Sequence, residues 1–133
     1  MNPDTWLIVP LYNEGQVVGD VIRHARESFC KIVCVDDGSR DDSGQIAAEA
    51  GAVVVTHPVN LGQGAALQTG IRYAMGDPAA NYFVTFDSDG QHRTEDAERM
   101  VQRLRTEEFD VILGSRFLDS EVEAGLLKRI VLK

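Results

Sequence analysis

A doubly wound, mostly parallel α/β sheet is the fold that this 133-residue sequence predicts, and three observations predict it. Short β-rich apolar runs alternate with longer stretches whose apolar residues recur at three and four positions, the pattern of strands joined by crossover helices. The strand-like runs carry few polar interruptions, as parallel strands covered on both faces do. Each run is followed at once by a polar cluster, and an open parallel sheet binds its ligands just outside the carboxyl ends of its strands.

Residues 7–9, 32–35, 53–55, 82–86 and 111–113 read as strands, rich in Val, Ile and aromatic residues. Residues 16–28, 43–51, 64–75 and 95–105 read as helices between them. In the last, Ala97, Met100, Val101 and Leu104 form one stripe while Glu95, Asp96, Glu98, Arg99, Arg103 and Arg105 face water. Asp41 or Asp42 is placed to cap the second helix, Thr94 the fourth, and Gly51 stands just past the second. With no repeats and no linker-like tract, residues 1–133 read as one domain.

Composition narrows the function classes. A net charge of −8 and a pI near 4.7 offer no general attraction for nucleic acid or for an anionic membrane. A polyanionic ligand then needs local help from a metal, backbone amides or a chosen arginine. No apolar stretch approaches the ~20 residues of a membrane span, and the N-terminus lacks the pattern of a secretion signal, so a cytoplasmic location is expected. Cys30 and Cys34 fit neither a CxxC pair nor a zinc site; on one strand they lie ~13 Å apart, too far for a disulfide, and are expected as free, mostly buried thiols. Of His24, His57 and His92, only His92 sits beside a candidate site in the sequence.

The strongest chemical signal is Phe86-Asp87-Ser88-Asp89-Gly90-Gln91-His92. In extended backbone, Asp87 and Asp89 point the same way, about 6–7 Å apart, and a divalent ion can bridge them. Gly90 permits a sharp turn, and Gln91 can return its amide oxygen to the same ion. Such hard oxygen ligands suit magnesium or manganese bound to a diphosphate. The other strand ends carry Pro10-Leu11-Tyr12-Asn13-Glu14, Asp36-Asp37-Gly38-Ser39, Asn60-Leu61-Gly62-Gln63-Gly64 and Gly114-Ser115-Arg116-Phe117, so all five clusters share one rim. Asp36-Ser39 reads either as a turn with a helix cap or as a carboxylate meeting a base N–H or a ribose hydroxyl. Gly62 and Gly64 allow close approach of backbone and ligand, yet Leu67 replaces the third glycine of a dinucleotide fingerprint, and there is no Walker A sequence. Arg116, alone a surface ion-pair residue, becomes a phosphate clamp when placed opposite the metal carboxylates.

Taken together, the five motifs resemble the family 2 glycosyltransferases with the A-type nucleotide-diphospho-sugar transferase fold, most closely the dolichyl-phosphate mannose synthase-like branch, over roughly residues 6–118. The resemblance implies a metal-dependent, inverting transfer from a UDP- or GDP-sugar to a polyprenyl phosphate or a glycan acceptor. It implies that Pro10, Tyr12, Asn13 and Glu14 line the nucleoside pocket, that Asp37 contacts the base or ribose, and that Gly62 and Gly64 border the donor. Asp87, Asp89 and Gln91 would hold Mg2+ or Mn2+, with Asp89 and Arg116 in the catalytic role. Family domains continue well past the GSR-type motif, so the sequence is expected to be a C-terminally truncated, donor-binding part with negligible transfer activity of its own. Residues 119–133 are read as the start of an interfacial amphipathic helix or as an ordinary helix, with membrane association at the cytoplasmic face arising through the missing part. A sheet edge and apolar surface left uncovered near residues 111–113 and 126–132 predict self-association. The alternative is a non-catalytic nucleotide-sugar-binding module; a pyrophosphorylase-type nucleotidyltransferase is disfavoured, because it would place a glycine-rich basic loop where Pro10–Glu14 stands.

Overall fold

The computed structural model describes residues 2–90, 93–114 and 129–132. In chain order the elements are β1 (Thr5–Leu11), α1 (Val18–Ala25), β2 (Lys31–Asp36), α2 (Ser43–Glu49), β3 (Val53–Thr56), α3 (Gln63–Met75), β4 (Tyr82–Thr85), α4 (Thr94–Thr106), β5 (Val111–Gly114) and β6 (Arg129–Leu132). The strands form one sheet in the order β3-β2-β1-β4-β6-β5. β1 pairs in parallel with β2 and β4, and β2 with β3.

The sheet is covered on both faces because its strands are apolar on both. Along β1, Leu7, Val9 and Leu11 join Val18 and Ile22 of α1, Ala47 of α2 and Met100, Val101 and Leu104 of α4 in the larger core. Trp6 and Ile8, one position out of phase, face Leu67, Ile71 and Ala74 of α3 in a smaller core on the other side. A Cβ at Gly70 would lie 2.4 Å from Ile8 Cγ2, so this glycine sets how closely α3 approaches the sheet. The layering is that of a doubly wound α/β domain, as the sequence predicts.

Several local expectations change. The sheet is mixed: β6 lies between β4 and β5 and is antiparallel to both. In the tail, for which the sequence predicts an interfacial or an ordinary helix, Arg129–Leu132 is instead a strand, consistent with its β-branched Ile130 and Val131. Residues 115–128 and Lys133 of that expectation lie outside the described residues. Thr94 does not cap α4: it is the first helical residue, its hydroxyl is buried without a hydrogen-bond partner, and Arg93 holds the cap position. Asp42 holds the cap position of α2, while the Asp41 carboxylate accepts the Ser43 amide at 3.0 Å. Gly51 follows α2 with φ 108°, as expected for a helix-terminating glycine. Cys34 is buried, which pushes its thiol up to about 12, but Cys30 is exposed because it precedes β2.

Candidate functional site

The chain runs outward from β1 through β2 to β3 and then returns to place β4 on the other side of β1. Such a reversal opens a crevice at the carboxyl ends of the strands, since neighbouring crossovers leave to opposite faces. A cleft of about 420 Å³ lies there, lined by residues that follow β1 (Tyr12, Glu14), β2 (Asp37), β3 (Asn60, Gly62, Gln63) and β4 (Asp87, Ser88, Asp89). Pro10 lines it too. Four of the five clusters thus meet in one cavity. Of the fifth, Gly114 ends β5, which runs in the same direction as β4 because both are antiparallel to β6. Ser115, Arg116 and Phe117 lie outside the described residues, as do Gln91 and His92.

Asp87 and Asp89 both border the cleft, though not on the extended backbone that the sequence suggests. β4 ends at Thr85, and residues 88–90 turn, with Gly90 at φ 81°. Asp87 lies between the strand and this turn and Asp89 on it, and both reach the cleft. The Gln63 amide, at the start of α3, donates to Asp87 Oδ1 at 3.5 Å. Among the described residues no group of three His, Cys, Asp or Glu side chains is placed to hold a metal ion. Two carboxylates bordering one cleft are nevertheless the donor set that suits Mg2+ or Mn2+ when a diphosphate and waters complete the shell, in place of an all-protein cage.

Asp37 is built into the rim more deeply than its sequence context suggests. Only 4% exposed, it accepts the Leu61 amide at 2.8 Å on Oδ1 and the Gly62 amide at 2.9 Å on Oδ2. His57 Nδ1 donates to Oδ1 at 2.8 Å. Burial works to raise the carboxyl group's pKa, but the His57, Leu61 and Gly62 hydrogen bonds outweigh it and hold the group below the ordinary carboxylate range. His57, assigned no site by its place in the sequence, is therefore part of this rim. Only its polar neighbours in space reveal that.

The loop after β1 is held in a similar way. Asn13 adopts φ 51°, which Asn tolerates better than most residues, and its Oδ1 accepts the Arg40 amide at 2.8 Å. Its own amide donates to Ser39 Oγ at 2.9 Å, and the Glu14 amide donates to Ser43 Oγ at 2.9 Å. Asn13 is not among the cleft's lining residues, so it shapes the loop that presents Tyr12 and Glu14. Gly62 lines the cleft at φ 99°, and a Cβ there would meet open space. Gly64 lies in the first turn of α3, off the lining.

Residues 6–130 match Glycosyl transferase family 2. The chain is similar to the UDP-N-acetylglucosamine–dolichyl-phosphate N-acetylglucosaminyltransferase of Methanococcus voltae, with 30% identity over 84% of this chain and 51% of that protein. It is also similar to the undecaprenyl-phosphate 4-deoxy-4-formamido-L-arabinose transferase of Pseudomonas savastanoi, with 38% identity over 80% of this chain and 34% of that protein. The chain spans about half the length, or less, of the curated relatives that it matches. Its fold is shared with glucosyl-3-phosphoglycerate synthase of Mycobacterium tuberculosis, crystallised with Mn2+, UDP and glucosyl-3-phosphoglycerate: TM-score 0.65, 26% identity, 78% of this chain and 40% of that one. With a switch-point cleft, two carboxylates after the fourth strand and a family match over nearly its whole length, the chain belongs to glycosyl transferase family 2.

Proposed function

We propose that the cleft binds a nucleotide-diphosphate sugar together with Mg2+ or Mn2+, for inverting transfer to a polyprenyl phosphate. The observation that carries this reading is the meeting of Asp87 and Asp89 with the loops after β1, β2 and β3 in a single cleft at the switch point. Tyr12, Glu14 and Asp37, on loops other than the one that carries the acidic pair, suit the nucleoside; Asp87 and Asp89 suit the diphosphate. The N-terminus of α3 opens onto the same cleft without a side-chain cap and adds a partial positive charge for the diphosphate.

When bound, the divalent ion neutralises charge that develops on the departing diphosphate. The chain's own residues fix the geometry: Asp87 and Asp89 orient the diphosphate, and the stitched loops hold the nucleoside still. Gln91 as a further oxygen donor and Arg116 as a phosphate clamp complete the proposal on residues outside the described ones. An acceptor phosphate oxygen then forms its bond to the anomeric carbon as the bond to the diphosphate breaks, on the opposite face. A phosphate oxygen is already ionised near neutral pH, so no strong general base is required. The acceptor class is supported by the dolichyl- and undecaprenyl-phosphate substrates named for the two relatives.

Calorimetry with UDP and GDP tests the donor half of this reading. Binding is expected with Mn2+ or Mg2+ and little in EDTA. Equal affinity in both conditions would remove the metal from the proposal. Loss of the label from a radiolabelled nucleotide sugar to short polyprenyl phosphates tests the acceptor half, and transfer to water alone would count against it.

A further inference from the structure

We propose that His57, with Thr69 behind it, is a positioning residue for the donor: it locks the Asp37 carboxylate that pins the β3–α3 loop along the cleft. The inference rests on the donor-binding reading above and names how one side of that site is kept in shape.

His57 stands one residue past β3, and its backbone amide donates to the Asp36 carbonyl at 2.8 Å, which extends the sheet to the rim. Its ring is 8% exposed as a residue and is held at both nitrogens. Nδ1 meets Asp37 Oδ1 at 2.8 Å and Nε2 meets Thr69 Oγ1, in the second turn of α3, at 2.8 Å. An ionised carboxylate only accepts, so Nδ1 carries a proton; in the neutral ring Nε2 then accepts from the Thr69 hydroxyl. One tautomer satisfies both bonds, and the ring is fixed in orientation by two separate elements.

The consequence falls on the loop. Asp37 accepts from Leu61 and Gly62, and Gly62, Gln63 and Asn60 line the cleft. Oδ1 is shared between His57 and Leu61 while Oδ2 meets Gly62, so removing the ring takes away one of the three hydrogen bonds that fix the carboxylate against the loop and loosens its hold on both amides. A Cβ at Gly38 would lie 2.8 Å from Asn60 N, so this loop packs directly on the turn that carries Asp37, and a small displacement there alters the cleft wall. His57 itself is not among the lining residues and acts only through Asp37.

The test uses this chain with UDP and MnCl2 as the probe. His57→Phe keeps the ring and removes both hydrogen bonds; His57→Asn keeps a donor near the Nδ1 position; Thr69→Val removes only the rear bond. His57→Phe is expected to weaken UDP binding at least about fivefold and to speed hydrogen exchange of the Leu61 and Gly62 amides. His57→Asn should stay within about twofold of wild type, and Thr69→Val should fall between the two. Val101→Ala, on the core-facing side of α4 and away from the cleft lining, controls for lost stability and should leave UDP affinity unchanged. UDP affinity of His57→Phe within about twofold of wild type, or loss in Val101→Ala equal to that in His57→Phe, overturns the inference while the donor reading stands. If His57→Phe does not fold, unchanged affinity and exchange in Thr69→Val overturn it. If wild type binds neither UDP nor GDP, the donor reading falls instead, and the exchange rates alone decide whether His57 holds the loop.

Discussion

At the scale of the residue, carboxylates with the same formula do different work. Asp89, on the turn after β4, borders the cleft and belongs to the proposed ion; Asp37 is taken up by two backbone amides and an imidazole. Asp89→Ala is therefore expected to weaken nucleoside diphosphate binding at least about tenfold, roughly 1.4 kcal/mol, in the presence of metal and to change little in EDTA, as read by calorimetry. Asp37→Ala is expected to lower affinity for a nucleoside monophosphate with no metal present. An unchanged monophosphate affinity would show that Asp37 does not meet the nucleoside and would confine its role to the loop that borders the diphosphate. The pKa of Asp37 is held down in the folded chain, so its contribution to loop order is present above the ordinary carboxylate range and is lost as pH falls through that range and below. Exchange of the Leu61 and Gly62 amides measured from pH 6 down to pH 3 should show the loop loosening on the acid side.

Elements are placed by a few close approaches. A helix-interior glycine normally gains about 1 kcal/mol on replacement by alanine. At Gly70 the new methyl would sit 2.4 Å from Ile8 Cγ2, and overpacking of that kind costs roughly 1–3 kcal/mol, so Gly70→Ala should lower the melting temperature. Gly64→Ala, nearer the start of α3 with open space around the new Cβ, should hold or raise it. A melting temperature that rises for both would mean that α3 does not pack as tightly as described. The end of α4 is fastened by Arg105, which is paired with Asp4 at 2.5 Å and lies 4.6 Å from the Tyr82 ring centroid. The Arg105 hydrogen bonds hold the Asp4 carboxyl low against the effect of burial, so this contact persists above the ordinary carboxylate range and weakens as pH drops below it.

For the whole molecule, the two ends of the sheet are organised differently. At the carboxyl ends, side chains join loop to loop around a cleft. At the amino ends, Asp77 accepts from Lys31 and from Trp6 Nε1, the latter at 3.0 Å, and Trp6 packs edge-on against Tyr73 at 5.8 Å. Hydrogen bonding from Lys31, then from the Ala79 amide and Trp6, lowers Asp77 to about 2. A lowered folded pKa stabilises above the unfolded value near 3.8 and is lost as pH falls toward about 2. Asp77→Asn should thus lower the melting temperature at pH 7 and have a much smaller effect at pH 2.5, with nucleotide affinity at pH 7 unchanged. Equal effects at both pH values would show that the charge of Asp77 contributes nothing.

The α/β class, the strands β1 to β5, the four helices within a few residues and the polar clusters at the strand ends are all legible along the chain. These are local matters of periodicity, β-branching and the polar punctuation after each strand, and they need no partner in space to be read. Only the tertiary structure decided that β6 enters between β4 and β5, because a short apolar run such as Arg129–Leu132 fits a helix or a strand equally well until a neighbour offers its hydrogen bonds. It alone showed that Asp87 and Asp89 border one cleft with the loops after β1, β2 and β3, and that Asn13 joins the loop after β1 to the one after β2. The same holds for His57, twenty residues from Asp37 in the chain and 2.8 Å from it in space. Parallel crossovers bring the ends of separate strands to one rim, so contacts between those ends are set by topology and remain invisible to any reading along the chain.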